Sequence, residues 1–350
     1  MAQRRRVVAP SHEGSAGVRA AARVLWGVPF FPSVRLHVVT GKGGTGKTTV
    51  AAALALALAA EGRRVLLAEV ENRQGIASLF NAGPLGYEER RIATVDAGEV
   101  VGLSVDPEEA LLEYLELFYN LGRAGRLLRK IGAIDFATTV APGLRDVLLI
   151  GKVKEAVGRK AKNGTLVYDA VVLDAPPTGR IVRFLNVSDE VAGLAKAGPI
   201  RNQADGVMAL LHSPRTAVHL VTLLEDMPVQ ETLDGVTALR ATDLPVGAIM
   251  VNMVREQHFE DAALALAAQG SLDPKALRAG LNAAGLDLSA GAAGVLAMEA
   301  TEHAQRIALQ DSERAELEAT GLPLLDLPLV PEQMRLSTLR VLADAITEQS

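Results

Sequence analysis

Short apolar runs punctuated by glycine and proline alternate along this chain with stretches of helical spacing. Residues 34–40, Val-Arg-Leu-His-Val-Val-Thr, are predicted to form a buried strand, and a glycine-rich loop follows from Gly41 to Thr49. The run from Val50 to Ala60 is built almost wholly of alanine and leucine, the strongest helix formers, and Glu61-Gly62 stops it. Residues 64–70 read as a second strand. Strand, glycine loop, helix and strand in that order make a parallel βαβ unit.

Residues 107–160 carry a helical period. Ala110, Leu111, Tyr114, Leu115 and Phe118 recur at i, i+3 and i+4, and Leu127, Leu128 and Ile131 continue the stripe. Ala141-Pro142-Gly143 breaks it, and a further helix carries Leu144, Val147, Leu148 and Val153 toward Lys160. Past a turn at Asn163-Gly164, residues 169–174 read as a buried strand that ends in Ala175-Pro176-Pro177-Thr178-Gly179. Two more strands are expected at 217–223 and 246–251, with a helix over about 229–241 between them. Residues 256–320 are alanine-rich and helical, with turns near Gly270 and Gly285, before a last strand at 324–329 and a final helix from about Ser337. Strands alternating with helices define an α/β fold. The expectation is one doubly wound, mostly parallel sheet over residues 34–350, with helical material inserted at about 107–160 and 256–320.

Composition narrows the chemistry. The 350 residues are 49% hydrophobic, which excludes a disordered chain, and they include no cysteine. Thiolate catalysis, thiolate-bound zinc and iron–sulfur clusters are thereby excluded. The six histidines are scattered, without metal-ligand spacing. A net charge of -5 argues against a nucleic-acid partner. Residues 1–33 stand apart: Arg4, Arg5, Arg6, Arg19 and Arg23 face Glu13 alone. This stretch reads as a flexible basic extension, with a membrane-surface element as the other reading. No apolar run reaches the length of a membrane span, so a cytoplasmic protein is expected, possible peripheral membrane contact aside.

The glycine loop carries the most specific signal. Gly41-x4-Gly46-Lys47-Thr48 is a P-loop pattern, set between a strand and a helix as that pattern requires. Glycines let successive N–H groups turn toward phosphate oxygens, and the helix N-terminus adds its positive dipole end. Lys47 is expected on the β- and γ-phosphates and the Thr48 hydroxyl on Mg²⁺. A second lysine, Lys42, has poor reach to its own nucleotide.

Lys42-Gly43-Gly44-x-Gly46-Lys47-Thr48 resembles the deviant P-loop of the ATPase class that holds MinD, ParA, the nitrogenase iron protein and ArsA. The resemblance implies ATP rather than GTP, and a dimer in which Lys42 crosses to the partner's nucleotide. It assigns cofactor contacts to Gly43, Gly44, Thr45, Gly46, Lys47, Thr48 and Thr49. Asp174-Ala175-Pro176-Pro177-Thr178-Gly179-Arg180 with Arg183-Phe184-Leu185 is similar to the D-T-A-P-T-G-H…R-F-L segment of the ArsA branch, which includes the arsenite-pump ATPase and the tail-anchored-protein targeting factor. Asn252, after Met250-Val251, resembles the branch's adenine-reading Asn. Pro328 and Leu329 fall in its late L-P-L loop, which covers the base. Glu225, six residues before Glu231-Thr232, matches an interface Glu able to pair with the crossing lysine. Read from the residues alone, Asp174 also suits a helix N-cap, Asn252 a turn and Glu225 a solvated loop.

The chain departs from the branch after its second strand. Where the branch has D-P-A-H, this chain has Glu71-Asn72-Arg73-Gln74. Glu71 keeps the carboxylate that positions the attacking water, at altered reach, so slow or partner-dependent hydrolysis is expected. Glu69, two residues earlier on the same side of the strand, is the reserve candidate. Without cysteine, neither a thiol arsenite site nor a zinc clamp at the dimer seam is available. Tyr114, Leu115, Leu117, Phe118, Tyr119, Leu121, Leu127, Leu128 and Ile131 exceed one buried face; an apolar client groove and helix-on-helix packing both account for them. The expected function is an Mg²⁺-dependent ATPase switch, a homodimer or a heterodimer with a similar ATPase. It would handle a hydrophobic client segment or a membrane-protein partner. The alternatives are a slow-turnover ATP-gated scaffold and a ParA- or MinD-like partitioning ATPase.

Overall fold

Eight strands form one sheet in the order β3-β4-β2-β5-β1-β6-β7-β8. They are β1 (Leu36–Gly41), β2 (Arg64–Glu69), β3 (Arg90–Val95), β4 (Gly98–Ser104), β5 (Ala170–Asp174), β6 (Thr216–Thr222), β7 (Val246–Val254) and β8 (Leu324–Pro328). All neighbours run parallel except β3, which is antiparallel to β4 at the edge. A computed structural model of the chain describes residues 31–60, 62–70, 74–119, 142–186, 199–257 and 259–349. The basic stretch at 1–30, Glu71 to Arg73, and the apolar positions Leu121, Leu127, Leu128 and Ile131 lie outside these residues. Ser33–Gln349 cluster as one unit.

The described helices are α1 (Lys47–Ala60), α2 (Gly75–Leu79), α3 (Pro107–Tyr119), α4 (Pro142–Gly158), α5 (Thr178–Leu185), α6 (Pro199–Leu211), α7 (Asp226–Ala241), α8 (Asp261–Ala268), α9 (Pro274–Ala283), α10 (Ala290–Glu318) and α11 (Leu336–Glu348). Strand alternation sorts them onto two faces. Leu36, Val38, Leu66, Leu173, Leu220 and Val251 point into a core shared with Ile150 of α4, Phe184 of α5, Val207 of α6 and Val236 of α7. The intervening strand positions face the other way. Every residue from Val50 to Ala59 is buried, because α1 is enclosed between the sheet and α11. A helix apolar all round its surface suits such a place.

The sequence pattern assigns nothing to residues 75–106, where the fold has α2 and the β3–β4 hairpin. Arg90 and Arg91 on an edge strand, and two glycines within β4, hide the apolar alternation on which such an assignment depends. In the helical region α3 and α4 pack on each other through Ala110, Leu111, Tyr114 and Leu148. Tyr114 is therefore core, and Leu115 is partly buried against the same cluster. Lys152 Nζ of α4 donates to both oxygens of Glu113 of α3 at 2.9 Å. Arg159 binds Glu89 at 2.6 Å, so the pair of helices is fastened to the chain before β3.

One polar pair lies in the core. His37 of β1 and His219 of β6 stack with ring centroids 5.4 Å apart. His219 Nδ1 accepts the Ala248 N–H at 3.2 Å. The proton then sits on Nε2, which donates to His37 Nδ1 at 3.1 Å. Burial pushes His219 down to about 3. Burial, reinforced by His219, holds His37 well below the usual imidazole range. Both rings are neutral in the fold and become charged when unfolded below pH about 6.5, so acid favours unfolding. Urea unfolding should show stability falling as pH drops below about 6.5, by up to about 1.4 kcal/mol per pH unit for each ring. A His37→Gln/His219→Gln chain should lose that share of the slope.

Candidate functional site

The loop between β1 and α1 lies in mid-sheet, at the carboxyl ends of the parallel strands, where open α/β folds bind ligands. Its path is fixed by contacts that leave no room for side chains. A Cβ on Gly41 would stand 2.2 Å from the Val221 carbonyl oxygen. Gly46 has φ +86°, and a Cβ there would meet Asn252 Nδ2 at 2.4 Å. Asn252, buried at the end of β7, donates through Nδ2 to the Thr45 carbonyl at 2.9 Å. The Thr45 hydroxyl donates to the Lys42 carbonyl at 2.9 Å, closing the loop on itself.

A cleft of about 270 Å³ opens on this loop, lined by Gly44, Gly46, Lys47, Thr48, Thr49, Glu69, Asp174 and Ala175. Lys47 is only 9% exposed, and its ammonium donates to the Lys42 carbonyl at 3.2 Å. The Thr48 hydroxyl donates to Asp174 Oδ2 at 2.6 Å. Asp174 is placed by β5, whose exit is tied to β1 by Ala175 N–H to Val39 O at 2.9 Å. The Thr40 hydroxyl reinforces that tie by donating to Pro176 O at 2.6 Å. Lysine and helix N-terminus supply positive potential for phosphate, and a hydroxyl beside a carboxylate suits Mg²⁺. Among the described residues no three His, Asp or Glu gather as a metal site. Mg²⁺ does not need three, since it takes one or two carboxylates and fills the rest with phosphate and water.

Lys42 behaves differently from Lys47. It is not among the residues that line the cleft, and its ammonium lies 3.7 Å from Glu231 Oε2 on α7. Glu231 Oε1 accepts the hydroxyl of Thr178, the first residue of α5. Glu225, the carboxylate that the family pattern singles out for the crossing lysine, is exposed at the start of α7. Within one chain the partner of Lys42 is Glu231, which the sequence reading used only as a landmark. Pro328 closes β8 opposite Val254, and the Leu329 N–H donates to Val254 O at 2.9 Å. Gly43 is open, with nothing within 4 Å of where a Cβ would stand. The water-positioning candidate Glu71 is outside the described residues.

The chain matches the model of the anion-transporting ATPase family over residues 34–213. ATPase BagA of Mycobacterium tuberculosis is 55% identical over 318 residues, covering 90% of this chain and 93% of the relative. The ATPase get3 of Schizosaccharomyces japonicus is 28% identical over half of this chain and 53% of its own. An arsenical pump-driving ATPase of Acidiphilium multivorum is 27% identical over 86% of this chain and 52% of its own. This chain therefore belongs to the anion-transporting, or ArsA, family of ATPases. ATP binding and ATPase chemistry follow from that membership. No described helix is long and apolar enough to cross a membrane.

The contact between Gly46 and Asn252 can be measured. Gly46→Ala should destabilise the chain by roughly 1–3 kcal/mol through strain at a left-handed position. Adding Asn252→Ala should restore part of that loss. Thermal unfolding of both single variants and the double should reveal a coupling of about 0.5 kcal/mol or more.

Proposed function

We propose that this chain is an Mg²⁺-dependent ATP-binding and hydrolysing switch that works as a dimer, each chain completing the other's site. The observation that carries the reading is the division of labour between two loop lysines. Lys47 is enclosed in its own cleft. Lys42 is held outside it by an ion pair whose side chains are 28% and 33% exposed. Pairs of that exposure are worth at most about 1 kcal/mol. Glu231 therefore parks Lys42 without trapping it, and a triphosphate across the dimer seam offers a stronger counter-charge.

In this reading the backbone of Gly43 to Thr49 and the Lys47 ammonium hold the phosphates. Asn252, Pro328 and Leu329 hold the base. Mg²⁺, when bound, neutralises charge on the phosphates and organises water around them. Thr48 and Asp174 are placed to receive it. Glu71 orients the attacking water, and Asp174 with Thr178-Gly179 registers whether the γ-phosphate is present. Departure of Lys42 leaves Glu231 holding Thr178 with its charge no longer offset by that lysine, so closure of the seam is felt at the start of α5. Helix α5 shares its core with α4 and α6, which gives the nucleotide state a route to the helical region and to a client or partner protein there.

Relatives that drive an arsenical pump do not extend that cargo to this chain, which has no thiol to hold arsenite. A hydrophobic protein segment or a membrane-protein partner fits better. The dimer is formed with a second copy or with a similar ATPase, in the cytoplasm.

The test uses complementation between chains. Lys42→Ala should bind Mg·ATP but turn it over slowly, and Lys47→Ala should bind it poorly. Mixed together, the two variants can assemble one site with both lysines, so mixing should restore part of the turnover that each lacks. An inactive mixture of folded variants would count against a shared site.

A further inference from the structure

The cleft contains a carboxylate that the reading above leaves without work. Glu69 is the last residue of β2 and is 3% exposed. It lines the cleft together with Lys47, Thr48 and Asp174. Its strand pairs in register with β5, so Glu69 stands directly opposite Asp174, and the two side chains leave the sheet on the same face. Neighbouring parallel strands lie roughly 4.8 Å apart, and glutamate is longer than aspartate by one methylene.

The hydrogen bonds of Glu69 are one-sided. Oε1 accepts the Gln74 N–H at 3.1 Å and the Ser104 hydroxyl at 3.1 Å. Oε2 accepts none among the described residues, and Glu69 forms no ion pair among them. The carboxylate lines the cleft, from which a cation or further donors can reach it. Ser104 and Gln74 hold the first oxygen and so aim the second, while Asp174 beside it already receives the hydroxyl of Thr48, the magnesium-ligand candidate.

Resting on the proposed Mg·ATP site, we infer that Glu69 is a positioning residue for the divalent cation. Oε2 accepts a hydrogen bond from water in the cation's hydration shell, so that two adjacent carboxylates, Asp174 and Glu69, hold the metal's outer sphere. Its place on β2 is fixed by sheet register, whereas Glu71 follows the strand end. The two carboxylates therefore divide the tasks of cation and attacking water.

The experiment is a titration of Mg²⁺ against a fluorescent ATP analogue on the full-length chain, wild type and Glu69→Gln. Glutamine keeps the size of the side chain and an acceptor for Ser104 and Gln74, and removes the charge. The Mg²⁺ concentration for half-maximal binding should rise about tenfold or more, the usual scale for losing an outer-shell partner of a metal. Binding of the analogue in EDTA should be unchanged or tighter, because one negative charge near the triphosphate is gone. Mn²⁺ bound to the ADP complex, followed by electron paramagnetic resonance, should weaken by the same factor. Ser104→Ala should shift the Mg²⁺ midpoint the same way by less, and serves where Glu69→Gln does not fold. An unchanged Mg²⁺ midpoint with reduced turnover would assign Glu69 to the attacking water and overturn the inference. Equal loss of affinity with and without metal would overturn it in favour of a structural role. Wild-type chain that binds no nucleotide in either condition would sink the ATPase site itself, a result distinct from both.

Discussion

The arc of backbone from Gly41 to Lys47 is the constraint on which the site depends. It is squeezed between the Val221 carbonyl on one side and the Asn252 amide on the other, and it is closed by the Thr45 and Lys47 contacts to the Lys42 carbonyl. Side chains are excluded at Gly41 and Gly46. The same folding sends the two lysines in different directions. Lys47 begins α1 and is drawn inward, while Lys42 sits where the loop leaves β1 and faces α7. An ordinary phosphate loop needs only the first. In the proposed dimer the second meets the triphosphate that another chain brings to that surface.

The contacts around the arc also connect it to the rest of the fold. Thr48 reaches Asp174 at the end of β5, Thr40 reaches Pro176 just beyond, and Lys42 reaches Thr178 through Glu231. Three successive parts of one strand–helix junction are thus each held by a hydroxyl or an ammonium of the loop or its flanks. The first two bonds are short and sheltered, and they fix the strand end. The third is the exposed one, so the start of α5 is where a change in the cleft is most readily felt. Phe184 and Leu185 anchor the other end of α5 in the core shared with α4 and α6.

Much of this was legible in the sequence because it is local. The glycine spacing, the strand before it and the Ala/Leu helix after it specify the phosphate loop within about twenty residues, and the alternation of strands and helices specifies the parallel sheet. What escaped the reading depends on approach between distant segments. Asn252 meets Thr45 across 207 positions, and Glu231 meets Lys42 only because the first turns of α7 lie beside the loop. The β3–β4 hairpin escaped because its glycines serve packing rather than turns. At Gly98 a Cβ would stand 2.1 Å from the Ala59 carbonyl, where α1 presses on β4. At Tyr114 the fold takes the packing alternative that the apolar stripe allowed, since a second helix fills that face. The facing of Glu69 followed from strand alternation, but its burial and its one-sided hydrogen bonds did not.

The shared site is tested most directly by the mass of the particle in solution. The single chain is 36.8 kDa. Light scattering on the purified full-length chain, with ADP and then with Mg²⁺ and a non-hydrolysable ATP analogue, should show a nucleotide-dependent gain in the fraction of twice that mass. Lys42→Ala should blunt the gain while leaving analogue binding in place. A particle that stays at the mass of one chain in saturating Mg²⁺ and analogue would contradict the account.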